Sequence, residues 1–169
     1  MDNVEELLKK HKWPKVCRRI SVVSPEERVT IKDPSGNNRR MTKNICQSEG
    51  FSRLNKGRAH LRMKIEEILP HWFVPGDNFT ITINKDVTCY PHKDQGNVGD
   101  SAILFLGDFS GGALHTAHKV SFSEKRVWHR FNGAEVLHWN EPHEGTKYSI
   151  IASNNKRSIC YHRKKDSLP

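Results

Sequence analysis

A mainly β fold with supporting α-helices, organised as a double-stranded β-helix or jelly-roll core, is the expectation for this 169-residue chain. Three observations carry it. From Phe79 onward, short β-rich runs recur at close spacing with Gly, Pro, Asn and Asp between them, the grammar of a sandwich or jelly roll. Helical periodicity is confined to two stretches before that point. The residues able to hold a metal ion fall at the ends of separate strand-like runs, which suits a site inside one open end of such a core.

The elements follow from local pattern. Asp2 to His11 predicts a short helix with Val4, Leu7 and Leu8 on one face. Residues 24–50 are rich in Pro, Gly and Asn and predict a hairpin or loop with a basic tip at Arg39 and Arg40, with Ile20–Val23 and Arg28–Lys32 as its strands. Lys56 to Leu69 predicts a second helix: Leu61, Ile65, Ile68 and Leu69 share a face, and Pro70 stops it. Its other face carries Lys56, Arg58, Arg62 and Glu66. In Phe79–Asn84 the residues Phe79, Ile81 and Ile83 alternate with polar ones, the period of a half-buried strand. Further strands are expected at Val87–Tyr90, Ser101–Leu106, Ala113–Thr116, Lys119–Phe122, Arg126–Phe131, Glu135–His138, Lys147–Ala152 and Ser158–His162. Tyr90, Trp128 and Trp139 are read as packing residues, and Arg163–Pro169 as a frayed tail.

The length fits a single domain, residues 1–169, with a helical, basic support over 1–75 and the core over 76–162. No apolar run approaches the roughly 20 residues needed to cross a bilayer, and the acidic start Met-Asp-Asn-Val-Glu-Glu-Leu is no signal peptide. Cys17, Cys46, Cys89 and Cys160 form no CxxC pair and read as free thiols. A monomer working inside the cell, in the nucleus if the source is eukaryotic, is expected. The net charge of +9 is unevenly spread: residues 1–75 hold 16 Lys/Arg against 9 Asp/Glu, residues 76–152 hold 7 against 9, and residues 153–169 hold 5 against 1. Basic flanks around a slightly acidic core suit a polyanionic partner.

The chemistry is concentrated in His92-Lys-Asp94 and in His138, which lies 44 residues past Asp94. Two imidazoles and one carboxylate form a facial triad that holds a non-haem Fe(II) by one face and leaves the others open. In an extended backbone, residues two apart point to the same side, so His92 and Asp94 can share one ion. His129 and His143 compete with His138 as third ligand. His138 is favoured because it stands at a strand end, before a loop and a strand bearing a cation. That cation, Lys147, lies nine residues beyond it, with Ser149 two further on. A lysine and a hydroxyl on one strand face can hold the distal carboxylate of a dicarboxylic acid that chelates the iron. The combination points to a 2-oxoglutarate-dependent oxygenase. Asn84 either closes a turn or meets the cosubstrate, and Asn97 is either a turn residue or a ligand contact at the cavity mouth.

The stretch Asn84 to Leu114, with HxDxxN at His92, Asp94 and Asn97 and with GDFSGGAL from Gly107, resembles the TET/JBP family of nucleobase dioxygenases. So does HxxxPxxGxKxS from His138 to Ser149. The resemblance spans roughly Phe79 to Asn155. It implies that His92, Asp94 and His138 ligate Fe(II) and form the catalytic centre, and that Lys147 and Ser149 hold 2-oxoglutarate. It also implies that Asn97 hydrogen-bonds a flipped base. Ser153 and Asn155 stand where family members often carry an aromatic residue and a base-contacting histidine, which makes Asn155 a candidate substrate contact. The family's cation is usually arginine; lysine acts as a point charge, without the planar fork. The implied activity is O2-dependent oxidation of the methyl group of 5-methylcytosine or thymine, in DNA rather than RNA. The alternatives are a 2-oxoglutarate hydroxylase of a protein side chain or small molecule, and a jelly roll that binds nucleic acid without catalysis.

Overall fold

A computed structural model describes residues 1–16, 18–22, 26–32, 34–44, 53–76 and 78–156 of the chain. The expected strand Ser158–His162, the tail Arg163–Pro169 and Val23 lie outside the described residues. The architecture is mainly antiparallel β with two supporting helices, as expected. In chain order the elements are α1 (Asp2–Lys10), β1 (Arg19–Ser21), β2 (Glu26–Lys32), β3 (Asn38–Asn44), α2 (Arg53–Glu66), β4 (Phe79–Lys85), β5 (Asn97–Leu106), β6 (Phe109–Gly111), β7 (Leu114–Thr116), β8 (Ser121–Phe122), β9 (Trp128–Phe131), β10 (His138–Asn140), β11 (His143–Gly145) and β12 (Tyr148–Asn155).

Five strands form the major sheet in the order β1-β4-β12-β5-β9. Beside it are short pieces, a three-stranded β10-β7-β8 and a two-stranded β11-β6, while among the described residues β2 and β3 form a two-stranded sheet of their own. The major sheet is amphipathic because its long strands alternate. Ile81 and Ile83 of β4, Ala102, Leu104 and Leu106 of β5, and Tyr148, Ile150 and Ala152 of β12 share one face and pack with Val4 and Leu8 of α1 and Leu61 and Ile65 of α2. Burying each large aliphatic side chain there contributes roughly 1.5–3 kcal/mol. The opposite face holds a smaller cluster of Ile103, Phe105, Phe109, Leu114 and Phe131. Beside that cluster the same face carries the hydroxyls and amides of Thr80, Thr82, Asn84, Ser149, Ser153 and Asn155. None of the described helices is long and apolar enough to cross a membrane.

Several boundaries differ from the sequence reading, for identifiable reasons. Ile20 belongs to β1, which pairs with β4 through Ile20↔Ile83, while the hairpin is β2 with β3. The main sheet therefore draws in a strand from the N-terminal segment. Val87–Tyr90 is not a strand: it follows Asp86, whose φ of 52° turns the chain out of the sheet. β10 begins at His138 instead of ending there, because its partner is β7 through His138↔Thr116. The pair β6 and β11 had no alternating signal, being three residues each. At its corner Gly145 takes φ 86°, and a Cβ there would lie 2.3 Å from the Asp108 carbonyl oxygen, so only glycine fits.

Candidate metal centre

Between β4 and β5 the chain runs as an irregular loop, and backbone hydrogen bonds pin its two ligand-bearing residues. His92 and His138 exchange N–H···O=C bonds of 3.0 Å in both directions, an isolated antiparallel bridge. Two residues on, the Asp94 N–H donates to the Gly133 carbonyl at 2.8 Å. Three side chains thereby converge although one comes from a distant strand. Asp94 Oδ1 lies 3.6 Å from His92 Nε2, and Asp94 Oδ2 lies 3.5 Å from His138 Nε2. The three ligand atoms lie within 4.8 Å of one another, and this is the group among the described residues able to hold a metal ion.

The site fits such an ion in more than composition. Metal–nitrogen bonds of about 2.1 Å allow two donors on one ion to stand up to roughly 4.2 Å apart, so separations of 3.5 and 3.6 Å are compatible. Each imidazole is also oriented: His92 Nδ1 is bound to the Tyr90 carbonyl at 2.7 Å and His138 Nδ1 to the Val136 carbonyl at 2.9 Å. A carbonyl can only accept, so Nδ1 carries the proton and the Nε2 lone pair faces the centre, the arrangement that metal-ligating histidines use. His138 is buried, whereas about a third of the side chains of His92 and Asp94 remains accessible, leaving one side of the centre open.

Electrostatics agree. The hydrogen bond from His138, opposed by burial and aided by the charges of both histidines and Arg19, holds the Asp94 carboxyl below the usual range. Burial works to lower the pKa of His138, yet the Asp94 hydrogen bond and the Val136 carbonyl outweigh it and raise it overall. Both shifts favour the charged forms of the pair, and any proton on His138 Nε2 must leave before that atom can bind a metal.

Beside the triad is a cavity of about 150 Å³. One wall is the polar face of β4 and β12, with Thr80, Thr82, Asn84, Ser149, Ser153 and Asn155; Val87, Cys89, Leu114 and Phe131 contribute to the rest. The sheet register brings the sequence candidates together in pairs: Ser149 is the cross-strand partner of Asn84, and Asn155 that of Asn97. All four line the cavity. Asn97 Nδ2 donates to Ser101 Oγ at 3.3 Å, and Asn155 Nδ2 to Thr80 Oγ1 at 2.7 Å and the Asn78 carbonyl at 3.1 Å.

Lys147 sits otherwise. It directly precedes β12, is 1% exposed and does not line the cavity. Its ammonium donates to the Gly112 carbonyl and lies 4.6 Å from the Phe105 ring centre and 5.4 Å from that of Phe109. Burial pulls its pKa down from 10.5 to about 8. The competing histidines are engaged elsewhere: His143 Nε2 faces Asp86 Oδ1 at 3.5 Å, and His129 Nε2 is bound to the Glu124 carbonyl at 2.8 Å. His115 is held between Glu141 and Ser121.

Two residues at the site escaped the sequence reading. Arg19 of β1 lines the cavity and donates from Nε to Asn84 Oδ1 at 2.8 Å. Its sequence signal was only a basic residue at the start of an apolar run. Gly133 closes the back of the triad, where a Cβ would lie 3.0 Å from Asp94 Oδ2 and 3.4 Å from His138 Cε1; the Asn132-Gly133 pair was a turn signal without an address.

No protein-family model and no curated protein matches the chain. Solved structures similar to it include NgTET1 in complex with 5mC DNA, at 19% identity and a TM-score of 0.42 over 48% of this chain. The chain spans 35% of the length of that protein. A Pseudomonas putida prolyl-4-hydroxylase is similar at 20% identity and a TM-score of 0.41, over 66% of this chain and 71% of that one. An oxidoreductase of the 2OG-Fe(II) oxygenase family from Burkholderia pseudomallei is similar at 13% identity and a TM-score of 0.44, over 92% and 81%.

Proposed function

We propose that the chain is an Fe(II)- and 2-oxoglutarate-dependent dioxygenase that oxidises the methyl group of 5-methylcytosine or thymine in DNA. The observation that carries the enzyme class is the convergence of His92, Asp94 and His138, both imidazoles oriented through Nδ1, beside a cavity lined by polar side chains. Two histidines and a carboxylate on one face, with open positions opposite, are the donor set of a non-haem Fe(II) oxygenase. When bound, Fe(II) and 2-oxoglutarate supply the activation of O2 and the oxidation of a substrate C–H bond.

The chain's own residues bind, orient and exclude water. His92, Asp94 and His138 hold the iron, and the Tyr90 and Val136 carbonyls keep the rings in the ligating tautomer. Ser149 and Asn84, opposite one another on β12 and β4, offer hydrogen bonds to the cosubstrate. Lys147, whose ammonium is held at the Gly112 carbonyl, is a further source of positive charge for the cosubstrate. Asn97 and Asn155 flank the cavity as a pair and offer amide groups to a base edge. A base in duplex DNA must leave the stack to enter, at a cost of a few kcal/mol. Contacts of the basic flanks with phosphates help to offset it.

Anaerobic addition of Fe(II) and 2-oxoglutarate tests the class: a weak visible charge-transfer band supports it, and its absence removes it. Oligonucleotides carrying 5-methylcytosine or thymine, analysed by mass, test the substrate. Gain of one oxygen atom supports the nucleobase reading. A specific observation favours a second one, hydroxylation of a protein side chain or small molecule: the Asn155 amide nitrogen is already committed to Thr80 and Asn78. Oxidation of peptides or small molecules with no oxidation of the oligonucleotides would establish it instead.

A further inference from the structure

The cavity beside the triad is lined by an exposed arginine that no carboxylate pairs with among the described residues. Of the described residues lining it, Arg19 alone is a lysine or arginine. It enters from β1, the edge strand of the major sheet, where Arg19 is the cross-strand partner of Asn84. Its Nε donates to Asn84 Oδ1 at 2.8 Å, which fixes the plane of the guanidinium. No carboxylate pairs with it among the described residues. The neighbouring Arg18, by contrast, is paired with Asp86 at 3.1 Å. Arg19 lies near enough for its charge to act on the Asp94 carboxylate, and the neutral side chains of Thr82, Asn84, Ser149 and Ser153 line the same cavity. Lys147, the cation expected from the sequence, is turned to the Gly112 carbonyl instead.

A guanidinium anchored through Nε still presents its two terminal nitrogens, whose fork geometry matches the paired oxygens of a carboxylate or phosphate. An ammonium on a flexible stem has no such preference. We propose that Arg19 is the anion-reading residue of this cavity, pairing with a carboxylate or phosphate group of a ligand bound beside the metal. The proposal rests on the Fe(II)/2-oxoglutarate reading for the setting of the site. Two sources share the chemistry: a carboxylate of the cosubstrate and a phosphate of the substrate. Asn84 acts as a positioning residue, holding the guanidinium in plane.

The test uses the full chain with Arg19→Gln and Arg19→Lys, and titrates Mn(II), then 2-oxoglutarate and, separately, inorganic phosphate onto the Mn(II)-loaded protein by calorimetry. Mn(II) affinity is expected to change less than about threefold, because Arg19 is no ligand, whereas anion affinity falls about tenfold or more in Arg19→Gln. Arg19→Lys is expected to be intermediate, since it keeps charge and loses the fork. Loss confined to 2-oxoglutarate identifies the cosubstrate as the source, and loss confined to phosphate identifies the substrate; either supports the proposal. Unchanged affinity for both anions overturns it. Failure of the wild type to bind Mn(II) overturns the Fe(II) reading on its own, and succinate and phosphate titrations of the metal-free protein then decide Arg19. Weaker binding in Arg19→Gln supports its role. Equal binding, or no binding by the wild type, overturns it.

Discussion

The two faces of strands β4 and β12 divide the work of this protein between them. Toward the helices stand Ile81, Ile83, Tyr148, Ile150 and Ala152, none more than 3% exposed. Toward the cavity stand Thr80, Thr82, Asn84, Ser149, Ser153 and Asn155, interleaved with them along the same backbone. The apolar face is stabilised by removal of hydrocarbon from water, which is non-directional and tolerant of sequence. The cavity face is held by directional bonds: Thr80 with Ser153 at 3.4 Å, Asn155 with Thr80 at 2.7 Å, Arg19 with Asn84 at 2.8 Å. A strand with a period of two lets a firm core position a polar site one residue away along the chain. Mutations on the two faces are therefore expected to have separate effects although both faces belong to the same two strands.

The sharpest way to break that comparison is to mutate each face in turn. His138→Ala is expected to abolish Mn(II) or Fe(II) binding and reduce oxidation to background, while circular dichroism shows the fold retained. Ile83→Ala, on the apolar face of β4, is expected to cost about 2–5 kcal/mol in urea unfolding, with the metal affinity of the folded fraction unchanged. Loss of metal affinity in Ile83→Ala at full folding, or unfolding of His138→Ala, would dissolve the division.

Lys147 is a case where the polar side costs stability. Its folded pKa is lowered by burial from 10.5 to about 8, so the unfolded chain binds more protons across that window. Stability accordingly carries a penalty below about pH 8 that is relieved as pH rises toward about 10.5. Lys147→Met is expected to be more stable at pH 7 by on the order of 1–3 kcal/mol, less what the Gly112 carbonyl loses without its partner. Its advantage over the wild type shrinks by pH 10 in denaturant titrations, and its 2-oxoglutarate affinity falls.

Two smaller effects sharpen the boundary. Gly133→Ala places a methyl group against Asp94 and Phe131. It is expected to weaken metal binding by roughly 10–100-fold, as displaced supporting groups do, read by competition with a fluorescent chelator. Asn155→Ala removes bonds to Thr80 and Asn78 and is expected to cost about 1 kcal/mol in thermal or urea unfolding, with no change in metal affinity.

Much of the core was legible in the sequence because hydrophobic periodicity is local. Phe79 to Asn84 alternates cleanly and lies within β4, and Leu61 and Ile65 mark the buried side of α2. The candidate metal ligands, which the structure brings together, were legible for a different reason: few residue types bind metal ions, and their spacing limits the choice. Short strands without alternation were not legible. β6 and β11 arise from the pairing of Ser110 with Glu144, which no window of sequence contains. Val87–Tyr90 has the composition of a strand, but the turn at Asp86 removes it from the sheet, where the Asp86 carboxylate instead accepts the Lys147 N–H at 2.8 Å.

By itself the sequence determined the class of fold and the face that β4 buries, and it nominated His92, Asp94 and His138 as a donor set, because these depend on composition, local period and the few residue types that bind metals. Tertiary structure alone decided that a β1 residue, Arg19, stands beside Asn84, which lies 65 positions later in the chain. It also decided that Lys147 turns to Gly112 and that Gly133 leaves room for Asp94 and His138. Those outcomes depend on which strands become neighbours and on the space left between packed side chains, and both are set when the whole sheet forms.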